Sequence, residues 1–303
     1  MNTLIAKLGA TGDVVRTTPL VRRLGSEIVW LTEAKNVVLL RGLEEEVECF
    51  SWEERELIPT RKYDLLINLE DTLEVASLLR KYEVDEWFGA YAEADGTLKY
   101  TGNSSAWFDL SLISSHGRKE ADGLKLLNRR TYQDLIFEGL GLRFDGEKYL
   151  LPEPAETTLE GDVAIAAESG PVWPMKKWAF YGELKEQLEA GGLNVNLLPK
   201  RPSLLEHLAD VRNHRCLVSG DTLPMHLALG TGTRCVSLFT CTSPWEIYDY
   251  GIQEKIISPL LDEFFYKRGY EERATTAITL EEVLEAVLRQ LDKSKSPATI
   301  PAT

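Results

Sequence analysis

The same local pattern is written twice along this chain, and nothing else in the sequence narrows the fold so far. Short apolar runs alternate with helical stretches, a proline-containing stretch at residues 150–161 (LLPEPAETTLEG) interrupts, and the alternation begins again. Thr3–Leu8, Ile28–Leu31 and Leu65–Leu69 read as buried strands. Val14–Leu24, Ala34–Arg41, Leu73–Tyr82 and Thr131–Gly139 read as helices. After the interruption come strands at Asp162–Ala167, Leu193–Leu198, Cys216–Ser219 and Cys235–Phe239. Helices at Lys177–Ala190, Ser203–Val211, Pro224–Leu229 and Thr279–Leu291 go with them. Strands alternating with helices imply a parallel sheet covered on both faces. The expectation is an α/β chain of two lobes with a cleft between them: residues 1–152, residues 153–292, and a disordered polar tail at 293–303. A length of 303 residues gives each lobe room for its own core.

The formal net charge of −14 opposes broad contact with nucleic acid or an anionic membrane, leaving at most peripheral membrane contact. Seven glutamates and two arginines crowd residues 41–56, which reads as a solvated acidic face. The four cysteines, Cys49, Cys216, Cys235 and Cys241, form no C-x-x-C pair and suit no zinc module. They read as small apolar fillers of strands in a reducing compartment. No apolar run reaches the roughly 18 residues of a membrane span, and Met1–Asp13 lacks the features of a signal peptide. A cytoplasmic protein is expected.

Three loops at strand ends carry the chemistry. The first is Lys7-Leu8-Gly9-Ala10-Thr11-Gly12-Asp13, a glycine-rich turn that lets backbone approach a ligand. Asp13 at the start of the next helix is either a helix cap or a catalytic acid–base group. The turn is not G-x-G-x-x-G, so the dinucleotide fingerprint is not met. The second is Ser169-Gly170-Pro171-Val172-Trp173-Pro174-Met175-Lys176-Lys177-Trp178. It reads either as an anion-binding turn with a lysine or as a tryptophan-rich structural turn. The third is Ser219-Gly220-Asp221-Thr222-Leu223-Pro224-Met225-His226. Pro224 suits the first helical turn and His226 lies near the helix start. In open α/β sheets ligands bind outside the carboxyl ends of the strands, where all three loops fall.

Together the stretches 4–24, 170–178 and 219–244 resemble the ADP-heptose:lipopolysaccharide heptosyltransferase family, glycosyltransferase family nine. That family opens with a strand–LGxxGD–helix unit ending in TTP. A tryptophan–proline–lysine turn starts its second domain, and an acidic-Thr-Gly-Pro-x-His stretch precedes a later helix. The resemblance implies a GT-B fold, with two Rossmann-like domains whose parallel sheets face across a cleft. It also implies an inverting, metal-independent transferase with no cofactor, moving a heptose from ADP-heptose to a glycan such as lipopolysaccharide core. By the same resemblance Asp13 is the catalytic base and Lys176 grips the donor diphosphate. Gly12, Ser169, Gly170, Asp221, Thr222, Leu223 and His226 line the donor. Leu223 departs from the family's glycine. Residues 199–203 are shorter than the family's loop around the nucleoside, which leaves the donor base open.

Sugar transfer to an alcohol needs a group to take the hydroxyl proton, positive charge for the departing diphosphate, and exclusion of water. The acceptor is expected to be anionic if it meets the local basic cluster at 117–130, where Arg118, Arg129 and Arg130 stand out; Arg61 and Lys62 are similar candidates. The ordinary reading of that cluster is a charged surface. Two other classes compete: a nucleotide-sugar binding protein without turnover, and a Rossmann oxidoreductase. The second lacks both its glycine fingerprint and an acid at the end of the second strand.

Overall fold

The computed structural model describes residues 1–25, 27–43 and 47–295 and divides into two compact units. One comprises Met1–Glu153 with Trp245–Tyr248; the other comprises Pro154–Pro244 with Asp249–Thr303. The acidic run at 44–46 and the tail at 296–303 lie outside the described residues.

In the first unit six strands, β1 (Asn2–Ala6), β2 (Glu27–Thr32), β3 (Val47–Ser51), β4 (Tyr63–Asn68), β5 (Val84–Ala92) and β6 (Leu98–Tyr100), form one sheet in the order β3-β2-β1-β4-β5-β6. All neighbours are parallel except the β5–β6 hairpin. Its helices are α1 (Thr11–Thr17), α2 (Val37–Arg41), α3 (Leu73–Leu79), α4 (Ser105–Phe108), α5 (Arg118–Leu127) and α6 (Tyr132–Gly139). Side chains alternate across a strand, so Leu4, Val29 and Leu66 pack with Val75 and Leu79 of α3. Their neighbours Ile5, Trp30 and Ile67 pack on the other face with Val14 of α1 and Ile136 and Phe137 of α6. Strands buried on both faces need continuous apolar runs, as these have.

The second unit has a five-stranded, all-parallel sheet of β7 (Gly161–Ala166), β8 (Val195–Leu197), β9 (His214–Gly220), β10 (Arg234–Phe239) and β11 (Gln253–Ile257). The order is β11-β10-β9-β7-β8. Six helices complete it: α7 (Tyr181–Ala190), α8 (Leu204–Arg212), α9 (Leu223–Thr231), α10 (Leu261–Phe264), α11 (Glu272–Thr276) and α12 (Leu280–Lys295). Trp178 and Leu184 pack with Val283 and Val287 of α12 against Val163, Ile165, Val218 and Val236. All four cysteines are buried and free of disulfides, with Cys241 just beyond the end of β10.

Several local expectations are corrected. The acidic stretch 41–56 contains β3, whose Cys49 and Ser51 are buried while Glu48 faces out. The period-2 pattern of the strand is masked there by the charge run. The long helix expected over Val14–Leu24 is α1 followed by a 3₁₀ segment at Thr18–Arg22, because Pro19 cannot supply the helical N–H. The helix expected from Lys177 starts only at Tyr181, after a 3₁₀ turn at Pro174–Lys176. The terminal helix runs to Lys295, past the expected boundary at 292.

Candidate active site

In each unit the strand order reverses once, the point at which open α/β sheets take ligands outside the carboxyl ends of their strands. The first reversal lies between β1 and β4, the second between β7 and β9. Each reversal is spanned by a lysine of its own unit, Lys7 in the first and Lys176 in the second.

In the first unit Lys7, just past β1, donates to Glu70 Oε1, just past β4, at 2.7 Å. The amide of Leu8 donates to the same oxygen at 2.9 Å. Burial alone would push the Lys7 ammonium down. The carboxylates of Glu70 and Asp13, with Tyr132, outweigh that and hold it above the usual lysine value.

Asp13 stands in the first turn of α1. The helix cap is Ala10, whose carbonyl accepts from the Asp13 amide at 2.9 Å, so the capping reading of Asp13 is set aside. Its carboxylate is about one-third exposed (35%) and meets Arg16, one turn on, at 2.9 Å. Arg16 is 9% exposed. Its guanidinium lies 4.1 Å from the ring centre of Tyr132 and 5.7 Å from that of Trp107. Beyond Arg16 is the buried carboxylate of Glu246, at 3.7 Å from Arg16 and 3.5 Å from Lys125 Nζ. Glu246 is held by its carbonyl, which accepts from the Tyr132 amide at 2.9 Å. The result is a row of alternating charge, Asp13–Arg16–Glu246–Lys125, with a partly open carboxylate at one end. Arg16, Glu70 and Glu246 were not singled out from the sequence, and Lys7 was read only as part of the first loop. Glu246 follows β10, more than half the chain away from Asp13, and no local pattern announces it.

The expected acceptor residues divide. Arg61 and Lys62 precede β4 and pair with Glu27 at the start of β2 (3.6 Å) and Asp85 at the start of β5 (2.6 Å). They stand at the amino-terminal edge of the sheet, opposite Asp13, and do not join its site. Arg118 is held by Asp122 on its own helix (2.9 Å), and Arg130 pairs with Glu138. Arg129 lies over the Trp245 ring at 3.6 Å. Of the basic segment it is Lys125, on α5, that reaches the row containing Asp13.

In the second unit Lys176, from the 3₁₀ turn after β7, crosses to the loop after β9. Its Nζ donates to Asp221 Oδ2 at 2.8 Å and to the Asp221 carbonyl at 2.7 Å. Both side chains are 15% exposed. Burial would raise the Asp221 carboxyl, but Lys176 and then His226 overcome it and hold it far below the usual carboxylate range. Gly220 makes this approach possible: a Cβ there would stand 2.7 Å from the Lys176 carbonyl oxygen. Thr240 fastens the same turn by donating to the Met175 carbonyl at 2.6 Å.

Thr222 is the N-cap residue of α9 and makes no side-chain capping bond; Leu223 and Pro224 begin the helix, and His226 is buried within its second turn. An uncapped helix start beside an ammonium group is an anion site by charge and dipole. Ser169 is half-buried and Gly170 exposed in the loop after β7, with open space where a Gly170 side chain would be. Trp178 is core, donating to the Ile278 carbonyl at 2.9 Å, while Trp173 packs edge-on to Tyr266. The short 199–203 loop is pinned by Arg201, which forks onto the buried Asp210 at 2.6 and 2.9 Å. Among the described residues no group of three or more His, Cys, Asp or Glu side chains is gathered that could hold a metal ion. No described helix is long and apolar enough to cross a membrane.

Comparison with known proteins agrees with this architecture. Residues 172–265 match the family model of glycosyltransferase family 9 (heptosyltransferase). No curated protein matches the sequence. Among solved structures, a family 9 glycosyl transferase from Veillonella parvula DSM 2008 is similar at 16% identity and a TM-score of 0.67, over 96% of this chain and 97% of that one. E. coli ADP-heptose lps heptosyltransferase II is similar at 15% identity and a TM-score of 0.64, over 98% and 100%. E. coli heptosyltransferase WaaC with ADP follows at 15% and 0.62, over 96% and 100%. The chain has the GT-B fold of these structures. Within that fold the matched segment is that of family 9, the heptosyltransferases, as the sequence motifs led us to expect.

Proposed function

We propose that the chain is an inverting transferase of the cytoplasm that moves a heptose from ADP-heptose to a hydroxyl of a glycan acceptor such as lipopolysaccharide core. Asp13 takes the proton of the attacking hydroxyl. Lys176 and the start of α9, with Ser169, Gly170, Asp221, Thr222, Leu223 and His226 as the donor's surroundings, receive the diphosphate. The proposal needs no metal and no cofactor, because the ammonium and the helix dipole supply the positive charge that the leaving group requires.

The observation that carries the reading is the Lys176–Asp221 bridge at the β7/β9 reversal, set against an uncapped helix start. The buried Asp221 fixes Lys176 in place, so the cation is ready before a ligand arrives. E. coli heptosyltransferase WaaC has been solved with ADP and with ADP-2-deoxy-2-fluoro heptose, which favours adenine and heptose for the donor here. The pinned 199–203 loop favours no base by itself. A thermal-shift series with ADP, GDP, UDP, CDP and dTDP therefore tests the donor. A ligand at about 100 times its Kd stabilises the native state by about 2.7 kcal/mol, so ADP should raise Tm by several degrees. Equal shifts for all five, or none, would remove the donor assignment.

A further inference from the structure

Arg16 is more deeply buried than the carboxylate it serves, and it touches two acids of unlike exposure. Asp13 is the exposed one and Glu246 the buried one. Six charged groups surround the spot: Asp13 and Arg16 of α1, Lys7 and Glu70 at the strand ends, Lys125 of α5, and Glu246. Three are positive and three negative, with the Tyr132 ring of α6 beneath the guanidinium. A proton arriving on Asp13 breaks this neutrality and releases Arg16 from one partner. Glu246 is then the anion that still holds it.

We propose that Arg16 is a positioning residue whose guanidinium, shared between Asp13 and Glu246, sets the pH at which Asp13 can accept a proton. This rests on the reading of Asp13 as the base. The geometry supports it on three counts. The 2.9 Å contact spans one turn of α1, so the helix itself fixes the pair. The Tyr132 ring at 4.1 Å and the bond from Gln133 Nε2 to the Arg16 carbonyl at 2.9 Å hold the arginine from α6. Glu246, 4% exposed, sits 3.7 Å behind it and draws the guanidinium the other way. Arginine suits the task because its planar fork serves two carboxylates while staying charged at any working pH. Removing a cation in contact with a carboxylate raises that carboxyl, and removing a competing anion lowers it.

The test is the titration of the Asp13 carboxyl, followed by carbon-13 NMR of aspartate-labelled protein with Asp13→Asn identifying the resonance. Arg16→Met should move the midpoint up by about 1 pH unit, the low end of the range for a contacting charge because Asp13 is partly solvated. Arg16→Lys, which keeps the charge but loses the fork, should move it less, and Glu246→Gln should move it down. The acid limb of kcat/KM should follow in the same directions. Midpoints that stay put while Tm falls would make Arg16 merely structural and overturn the proposal. Should Arg16→Met not fold, the opposite movements in Arg16→Lys and Glu246→Gln decide it. Asp13→Asn with unimpaired turnover would instead remove the base assignment, whatever the titration shows.

Discussion

Replacing Lys176 by methionine isolates the feature on which the donor site is built. The ammonium lies 2.8 Å from one carboxylate oxygen of Asp221 and 2.7 Å from its carbonyl, with both side chains 15% exposed. An exposed pair contributes little, but breaking a buried one costs about 3–5 kcal/mol because a carboxylate is left behind without its cation. The residual exposure puts the expectation at about 3 kcal/mol, or a fall in Tm of roughly 6–12 °C. The dependence on pH has a definite sign. The Asp221 carboxyl is depressed in the folded chain, so its contribution is full above the unfolded aspartate value of about 3.9 and is lost only as pH falls toward the lower folded value. In Lys176→Met burial is opposed only by His226 and a hydrogen bond from Thr242, the carboxyl titrates higher, and the deficit should shrink between about pH 7 and pH 5. Adding Asp221→Asn should restore about half the loss or more, since it removes the stranded charge. Urea unfolding of the four proteins at both pH values measures each quantity. A single variant within about 0.5 kcal/mol of wild type, or a double variant losing the full sum, would refute the reasoning.

Gly220→Ala places a Cβ 2.7 Å from the Lys176 carbonyl, so it should cost about 1–3 kcal/mol in urea unfolding and weaken ADP binding by calorimetry. Unchanged stability and affinity would show that the turn after β7 is free to yield. Arg61→Ala and Lys62→Ala, at the amino-terminal edge of the first sheet, should leave kcat/KM within about twofold; a larger loss would bring acceptor binding back to that edge.

The doubly wound halves were legible because buried parallel strands such as Leu4–Ala6 and Val163–Ala166 leave unbroken apolar runs. β3 and β11 escaped notice for the opposite reason: as outer strands they carry Glu48, Glu254 and Lys255, and their charges hide the period of two. Asp13, Lys176 and Asp221 could be found because glycine and proline mark their loops at strand ends. Their partners could not. Glu70, Arg16 and Glu246 come to the first reversal through strand order and through the grouping of Trp245–Tyr248 with the first unit, and sequence spacing says nothing about either. Arg61 and Lys62 were drawn in by charge alone, and charge does not report which end of a strand a residue occupies.

The most direct measurement is the rate at which Asp13→Asn releases ADP from ADP-heptose in the presence of a lipopolysaccharide-core acceptor, alongside its affinity for ADP. Loss of a positioned general base predicts a fall of about 10²–10⁴-fold in rate with affinity kept within about twofold. Wild-type release by Asp13→Asn at equal affinity would contradict the account.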